Sequence, residues 1–106
     1  MAFNTGAALM DALVLSIVSG ESTYGYKITQ DVRSVMDVSE STLYPVLRRL
    51  QKEGCLETYD REFAGRNRRY YCITEQGCAQ LEQYRDDWKA YEQKIDDLLF
   101  GGINHE

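Results

Sequence analysis

The chain has 106 residues, of which 43% are apolar and 27% charged, and its formal net charge is −5 at pH 7. A chain of this size is expected to form one soluble domain that needs no disulfides. The acidic total argues against indiscriminate nucleic-acid binding. Neither a membrane span nor a secretory signal is recognisable, so we expect a cytoplasmic protein with no membrane partner.

Positive charge is concentrated in the middle of the chain. Residues 1–47 carry two basic and five acidic side chains, a balance of −3. Residues 48–79 carry seven basic and five acidic side chains, a balance of +2, and residues 80–106 carry three and seven, a balance of −4. A local basic face is therefore compatible with an acidic protein, because a docking partner responds to the local potential.

Apolar spacing predicts two helices in the first third of the chain. Between Ala7 and Ser19, apolar residues recur every three or four positions, which indicates a mostly buried helix. A second helix is expected from about Tyr24 to Ser34, capped by Ser22 or Thr23. Gly25, at its start, would allow another part of the chain to approach the backbone closely.

The third predicted helix, Ser39–Gly54, has two different faces. Ser39 can cap its start, Gly54 can end it in a left-handed conformation, and Pro45 predicts that the regular helix begins or bends near Ser41. Its apolar stripe consists of Leu43, Val46, Leu47 and Leu50. Elsewhere it carries hydroxyl-bearing, aromatic and basic side chains: Ser41, Thr42, Tyr44, Arg48, Arg49 and Lys52. A solvated amphipathic helix explains this stretch as well as a DNA-reading helix does.

Beyond Gly54 the pattern changes to a period of two. Residues 55–59 and 69–73 alternate and contain strand formers, and the intervening residues 60–68 are polar with one glycine. This pattern predicts a β-hairpin. The loop carries Arg61, Arg66 and Arg68, and Asp60 and Glu62 lie on its N-terminal side. The positively charged tip is therefore expected to be narrow.

A long final helix is expected from Thr74, as its cap, to about Phe100. Its apolar residues form a heptad seam of Leu81, Tyr84, Trp88, Tyr91, Ile95 and Leu98. A helix of about 25 residues extends roughly 38 Å, whereas a domain of this size has a radius of gyration of about 13 Å. We therefore favour a second copy of the chain on this seam over a helix folded back on its own core.

The order of elements predicts a mainly α fold with a small β-hairpin, a winged helix-turn-helix with a long C-terminal dimerisation helix. The DNA-binding domain would comprise residues 1–74, and the dimerisation helix and tail residues 75–106. In such folds the start of the later helix meets base edges in the major groove. The predicted DNA-binding residues are Tyr24, Lys27, Ser39, Ser41, Thr42, Tyr44, Arg48, Arg66 and Arg68. Arg49 and Lys52 are expected to contact the DNA backbone or to remain solvated.

Catalytic chemistry finds no support in the sequence. The one histidine, His105, is next to the C-terminus, and Cys55, Cys72 and Cys78 have no metal-ligand spacing. Small buried side chains in a reducing compartment account for the cysteines. There is no Ser–His–Asp set and no glycine-rich phosphate loop after a strand. We expect no enzyme, no catalytic residue, no cofactor and no metal.

Three segments together resemble the PadR family of bacterial transcriptional regulators: LVLSIVSGESTYGYKITQDV, STLYPVLRRLQKEGCLE and GRNRRYYCITEQG. The similarity extends from about Leu9 to Leu99. It depends on the Tyr-Pro pair in the third helix, the Arg-Arg-Tyr-Tyr run and the Thr-Glu-x-Gly start of the last helix. The single C-terminal helix resembles the compact branch of that family.

The resemblance implies a homodimeric winged-helix repressor with a palindromic DNA operator. It places DNA contacts at Tyr24, Lys27, Ser41, Thr42, Tyr44 and Arg48 and on the wing at Arg66 and Arg68. It also implies that Trp88 can contact a small aromatic effector at the dimer interface, although a role as an interface anchor explains this residue equally well. Two alternatives remain open, a winged-helix protein-interaction module and a ligand sensor without direct DNA binding.

Overall fold

A computed structural model describes residues 6–101 of the chain. The elements in order are α1 (Ala7–Gly20), β1 (Thr23–Tyr24), α2 (Gly25–Arg33), α3 (Glu40–Lys52), β2 (Leu56–Phe63), β3 (Arg66–Ile73), α4 (Glu75–Asp96) and a π-helical segment (Asp97–Gly101). The predicted mainly α winged-helix fold with a long C-terminal helix is confirmed. Within residues 6–101, no helix is both long and apolar enough to cross a membrane. His105 and the rest of the tail lie outside the described residues.

The boundaries of α3 follow from its predicted caps. The Ser39 hydroxyl accepts a hydrogen bond from the backbone N–H of Thr42 at 3.3 Å. At the other end Gly54 has a φ of +85°, and the N–H groups of Gly54 and Cys55 donate to carbonyls of the last turn, at 3.0 and 2.9 Å. These bonds satisfy carbonyls that the helix itself leaves unpaired. The helix begins at Glu40, one residue earlier than expected, and continues through Pro45.

A third strand, β1, was not expected from the sequence. Thr23 and Tyr24 pair with Tyr71 and Tyr70 of β3, so the antiparallel sheet has the order β1-β3-β2. The expected capping of α2 by Ser22 or Thr23 is wrong, because Tyr24 occupies the N-cap position in an extended conformation without a side-chain cap. A strand of two residues is too short to show an alternating pattern.

The hairpin strands are longer than predicted. The expected loop over residues 60–68 is wrong, since β2 and β3 remain paired up to Phe63 and Arg66. Ala64 and Gly65 form the turn, with φ values of +54° and +80°. Positive φ at both central residues is characteristic of the tight turn that suits a twisted hairpin. The tip of the ribbon is exposed on both faces, so it lacks the apolar alternation by which a strand is recognised.

The core lies between the first three helices, the base of the sheet and the first turns of α4. Its largest fully buried side chains include Leu15, Ile28, Leu43, Leu47, Leu50 and Leu56. Three of these belong to the predicted stripe of α3. The Thr74 hydroxyl accepts from the N–H of Gly77 at 2.9 Å and donates to the carbonyl of Gly54 at 2.6 Å. The start of α4 is thereby fixed to the end of α3.

Candidate nucleic-acid interface

The start of α3 presents an exposed group of hydroxyls. Ser39 lies 3.0 Å from Ser41 and 3.1 Å from Thr42, measured between hydroxyl oxygens. Ser39 also caps the helix, so its oxygen is engaged locally, whereas Ser41 and Thr42 are exposed on the first turn. The N-terminus of a helix carries partial positive charge and free N–H groups, which favour an approaching phosphate.

Tyr44 is held by a close contact with the backbone of α2. A Cβ atom at Gly25 would lie 2.6 Å from Cε1 of the Tyr44 ring, so only glycine leaves room for the ring in this position. The close approach expected at Gly25 is confirmed. Burial raises the pKa of Tyr44, and the carboxylate of Glu40 raises it further. The phenol therefore stays protonated near neutral pH and can donate a hydrogen bond.

An open groove of about 490 Å³ connects the starts of α2 and α3 with β3. Three predicted DNA contacts line it, namely Tyr24, Tyr44 and Arg68. They come from three elements that are distant in sequence. The remaining lining residues are Gly25, Tyr26, Arg69 and Tyr71. The fold thus brings together residues that the sequence suggested one at a time.

The two faces of the wing have opposite charge character. Side chains alternate along a strand, and paired residues point to the same face. From the pairing of β2 with β3, Arg61, Arg66 and Arg68 share one face, which we call the arginine face. Asp60 and Glu62 lie on the opposite face, where Asp60 is 3.8 Å from Arg69. The acidic residues therefore reduce the positive potential of the arginine face less than their positions in the sequence suggest.

Aromatic rings contact two of the arginines of this face, Arg61 and Arg68. The guanidinium carbon of Arg68 lies 4.0 Å from the ring centroid of Tyr24 and 4.3 Å from that of Phe63. Arg61 lies 5.7 Å from the centroid of Tyr70. Such cation–π contacts restrict the side chain without neutralising its charge. Arg61 and Phe63 are not among the predicted DNA-binding residues, although their period-two spacing places them on one face.

Three further predicted contacts, Lys27, Arg48 and Arg66, do not line this groove. Lys27 forms an exposed ion pair with Asp31 at 2.9 Å, which raises the pKa of the ammonium group. It lines a separate depression near the end of α1. Arg48 is exposed on α3, one turn beyond Tyr44, and Arg66 is exposed at the tip of the wing.

Arg49 has a different role from the one expected. It donates to the carboxylate of Asp11 on α1, and it also lies 3.3 Å from Glu53. The Tyr84 hydroxyl of α4 donates to the same Asp11 carboxylate at 3.0 Å. Asp11 is 4% exposed. Through these hydrogen bonds its buried carboxylate connects α1 with α3 and α4. In the sequence, Asp11 is recognisable only as a single charged residue within the apolar run of α1.

The predicted seam of α4 divides into two parts. Leu81 is 3% exposed and belongs to the core of its own subunit, so a partner could add little contact to it. Burial raises the pKa of Tyr84 to about 12, and the charge of Asp11 contributes to the shift. Farther along, Trp88 is 37% and Leu98 78% exposed, and the Trp88 and Tyr91 rings are 6.0 Å apart. Ile95 lies between these, half-buried.

Comparison with known proteins decides the family. The family model described as "Transcriptional regulator PadR-like family" matches residues 14–83, which is more than half of the chain. The chain belongs to this family. Members of the PadR-like family are transcription regulators and not enzymes, so the predicted family and the expected lack of an enzymatic role are confirmed.

Individual proteins are similar to this chain over most of their length. A crystal structure of smu.1704 from Streptococcus mutans is 40% identical with a TM-score of 0.87, and all of both chains is covered. A PadR-like transcriptional regulator from Bacillus cereus is 33% identical with a TM-score of 0.80, over 87% of this chain and 92% of that one. Transcriptional regulator Rv3488 of Mycobacterium tuberculosis is 36% identical over 87% of this chain and 83% of its own.

Proposed function

We propose that this PadR-like regulator is a homodimeric repressor that binds a palindromic operator through α3 and the arginine face of the wing. The observation that carries the proposal is the groove in which Tyr24, Tyr44 and Arg68 meet beside the exposed start of α3. Hydroxyl, phenol and guanidinium groups are donors that phosphates and base edges accept.

The contacts divide by the chemistry of each side chain. Ser41, Thr42 and Arg48 lie on the exposed side of α3, where a guanidinium can donate to O6 and N7 of guanine together. The Tyr24 and Tyr44 phenols and Lys27 suit phosphate oxygens. Arg66 and Arg68 would contact the adjacent minor groove or backbone. Ser39 contributes chiefly as the cap that exposes the first turn of α3.

Dimerisation through the distal part of α4 is the second element of the proposal. Leu98, Leu99 and Phe100 are 78, 62 and 67% exposed, and a monomer rarely exposes such a contiguous apolar group. Trp88, Tyr91 and Ile95 continue this surface toward the domain. Two α3 helices related by a two-fold axis would meet half-sites about 34–36 Å apart. In this scheme residues 1–74 bind DNA and residues 75–106 pair the subunits.

A small aromatic effector is proposed at Trp88. An apolar groove between α1 and α4 has a volume of about 280 Å³, and Leu13, Tyr84 and Trp88 contribute to its lining. This volume is close to the lower limit of about 300 Å³ for small-molecule sites. Because the chain has one tryptophan, quenching of its fluorescence by planar aromatic compounds tests this part directly, and an unchanged spectrum would contradict it.

Operator binding is tested with duplexes from the region upstream of the protein's own gene. We expect binding that weakens steeply as salt rises, because phosphate contacts release counterions. Arg48→Ala should cost about 1–3 kcal/mol of specific binding if Arg48 reads a base. Arg85→Ala, which removes an exposed arginine of α4, is the matched control. Absence of salt-sensitive binding to any such duplex would contradict the proposal and favour a protein-interaction module.

A further inference from the structure

Two separate attachments hold α4 against α3. The first is at their junction, where the Thr74 hydroxyl donates to the Gly54 carbonyl at 2.6 Å and the Gln76 side-chain amide donates to the Glu53 carbonyl at 2.8 Å. The second is the Asp11 carboxylate, which accepts hydrogen bonds from Arg49 of α3 and Tyr84 of α4. We call Asp11, Arg49 and Tyr84 the Asp11 cluster.

The second attachment restrains the angle of α4 at a point farther along the helix than the junction. Gln76 and Tyr84 are eight residues apart, which is about 12 Å along a helix. Apolar packing, as at the buried Leu81 between the two attachments, tolerates small sliding of helices. Hydrogen bonds to one carboxylate are directional and restrict such movement. Within residues 6–101, Asp11 is the only buried side chain with a formal charge. A buried ionic contact contributes little net stability, and its best-attested role is to specify a geometry.

Small changes of this angle become large at the far end of the helix. From Gln76 to Asp96, α4 extends about 30 Å. A tilt of 10° would move that end by roughly 5 Å, which exceeds the rise of about 3.4 Å per base pair in B-DNA. In a dimer that meets through the distal part of α4, such a tilt alters the distance between the two copies of α3.

We propose that the Asp11 cluster sets the half-site spacing that the dimer accepts, so that Asp11, Arg49 and Tyr84 are specificity-determining positioning residues for operator choice. The proposal rests on the proposed function, since it requires a dimer on a two-fold symmetric operator. The arrangement favours it because Arg49 follows Arg48 directly on α3, while Tyr84 is the last seam residue of α4 before the exposed Trp88. The cluster thus lies between the predicted base contacts and the predicted dimer contacts.

The test selects bound duplexes from a random library and reads both the half-site sequence and the spacing. Three variants are compared with the wild-type chain. Tyr84→Phe keeps the ring but removes the hydroxyl that donates to Asp11. Arg49→Lys keeps the positive charge but loses the planar fork of donors. Ser19→Ala removes an exposed hydroxyl from α1 that, within residues 6–101, bonds only to the carbonyl of Ser16, and it is the matched control.

We expect the wild-type chain and Ser19→Ala to select one half-site at one dominant spacing. Tyr84→Phe and Arg49→Lys should select the same half-site over a wider range of spacings, so that the affinity ratio between the best spacing and its one-base-pair neighbours falls toward one. A role confined to folding would lower affinity for every spacing equally and would overturn the inference. An unchanged spacing preference in both variants would also overturn it but would leave the proposed function intact. A wild-type chain that selects no symmetric site would contradict the proposed function itself.

Discussion

The two halves of α4 carry the same heptad pattern but meet different surroundings. In the first half, residues 75–84, Leu81 is buried and Gly77 is so close to β2 that a Cβ atom would lie 2.2 Å from the Cys55 carbonyl oxygen. In the second half, Trp88 is partly exposed, and Leu98 beyond it is largely exposed. One periodic pattern thus serves the core of its own subunit first and an uncovered surface afterwards.

The difference arises from the length of the helix relative to the domain. Residues 6–101 extend 65 × 27 × 21 Å, with a Cα radius of gyration of 16.3 Å. A compact domain of about 100 residues has a radius of gyration of about 13 Å. The helix therefore projects beyond the body that could cover it, and the predictions below separate a structural first half from an assembly role of the second.

Gly77→Ala is expected to have the largest effect. The new methyl group would clash with the backbone carbonyl of Cys55 and with Ile73, at 2.2 and 2.8 Å, so the junction of α4 with β2 must open. We expect a loss of about 3 kcal/mol or more in the free energy of unfolding, measured with denaturant, since overpacking against backbone is poorly relieved. Gly20→Ala is the control, because its Cβ would meet nothing within 4 Å. Equal stabilities of the two variants would show that the junction is not tight.

A pair of leucine truncations tests the division of the seam directly. Leu81→Ala should lower the free energy of unfolding by about 2–5 kcal/mol, because it removes buried methyl groups from the core. Leu98→Ala should change the stability of the isolated subunit by less than about 0.5 kcal/mol but should weaken the dimer, as measured by sedimentation at several protein concentrations. If Leu81→Ala instead weakened only the dimer, the assignment of the two halves would be reversed.

Gly25→Ala tests whether the DNA surface depends on local packing and not on the distal part of α4. The added Cβ would displace the Tyr44 ring, which lies 2.6 Å from its position. We expect a loss of about 1–2 kcal/mol in operator binding with an unchanged dimerisation constant, measured by fluorescence anisotropy and sedimentation. Gly20→Ala again provides the matched control. A variant with normal affinity would show that Tyr44 contributes nothing at its present position.

The smallest expected effect is a change in how stability depends on alkaline pH, caused by Tyr84 between the two halves of α4. The pKa of Tyr84 is raised from its ordinary value of 10.0 to about 12, chiefly by burial and then by Asp11. A raised pKa in the folded state means that its contribution to stability is complete below pH 10 and is lost as pH rises toward about 12. Tyr84→Phe should therefore show a shallower loss of stability over this interval than the wild-type chain. Parallel profiles would indicate that the phenol is not held as described.

Local features of α3 and α4 could be predicted because their signals are contained in a few adjacent residues. Ser39 and Thr74 cap helices through bonds to residues three positions away, and Gly54 has the positive φ that its type suggests. The strand Thr23–Tyr24 and the extended hairpin could not be predicted, because a strand is stabilised by a partner distant in sequence and these segments have no apolar alternation.

The geometry of the candidate site also depends on partners that are distant in sequence. The residue types at Tyr24, Tyr44 and Arg68 suggested DNA contact, but their meeting in one groove depends on the pairing of β1 with β3 and on the backbone space at Gly25. Arg49 was expected to contact the DNA backbone or to remain solvated, and its pairing with Asp11 was not expected, because Asp11 is 38 residues away in the chain. Periodicity places a charge on a helix face but contains no information about which other helix that face will meet.

Four features could be predicted from the sequence alone: the order of the four helices and the hairpin, the apolar stripe of α3, the heptad pattern of α4 and the resemblance to PadR regulators. Their signals are local, because propensity, capping and periodicity act over neighbouring residues. Three other features depend on contacts distant in sequence: how the wing separates its arginine face from Asp60 and Glu62, where the seam of α4 leaves the core, and which helices share the buried carboxylate of Asp11. These features depend on strand register and on helix packing, which join residues far apart in the chain.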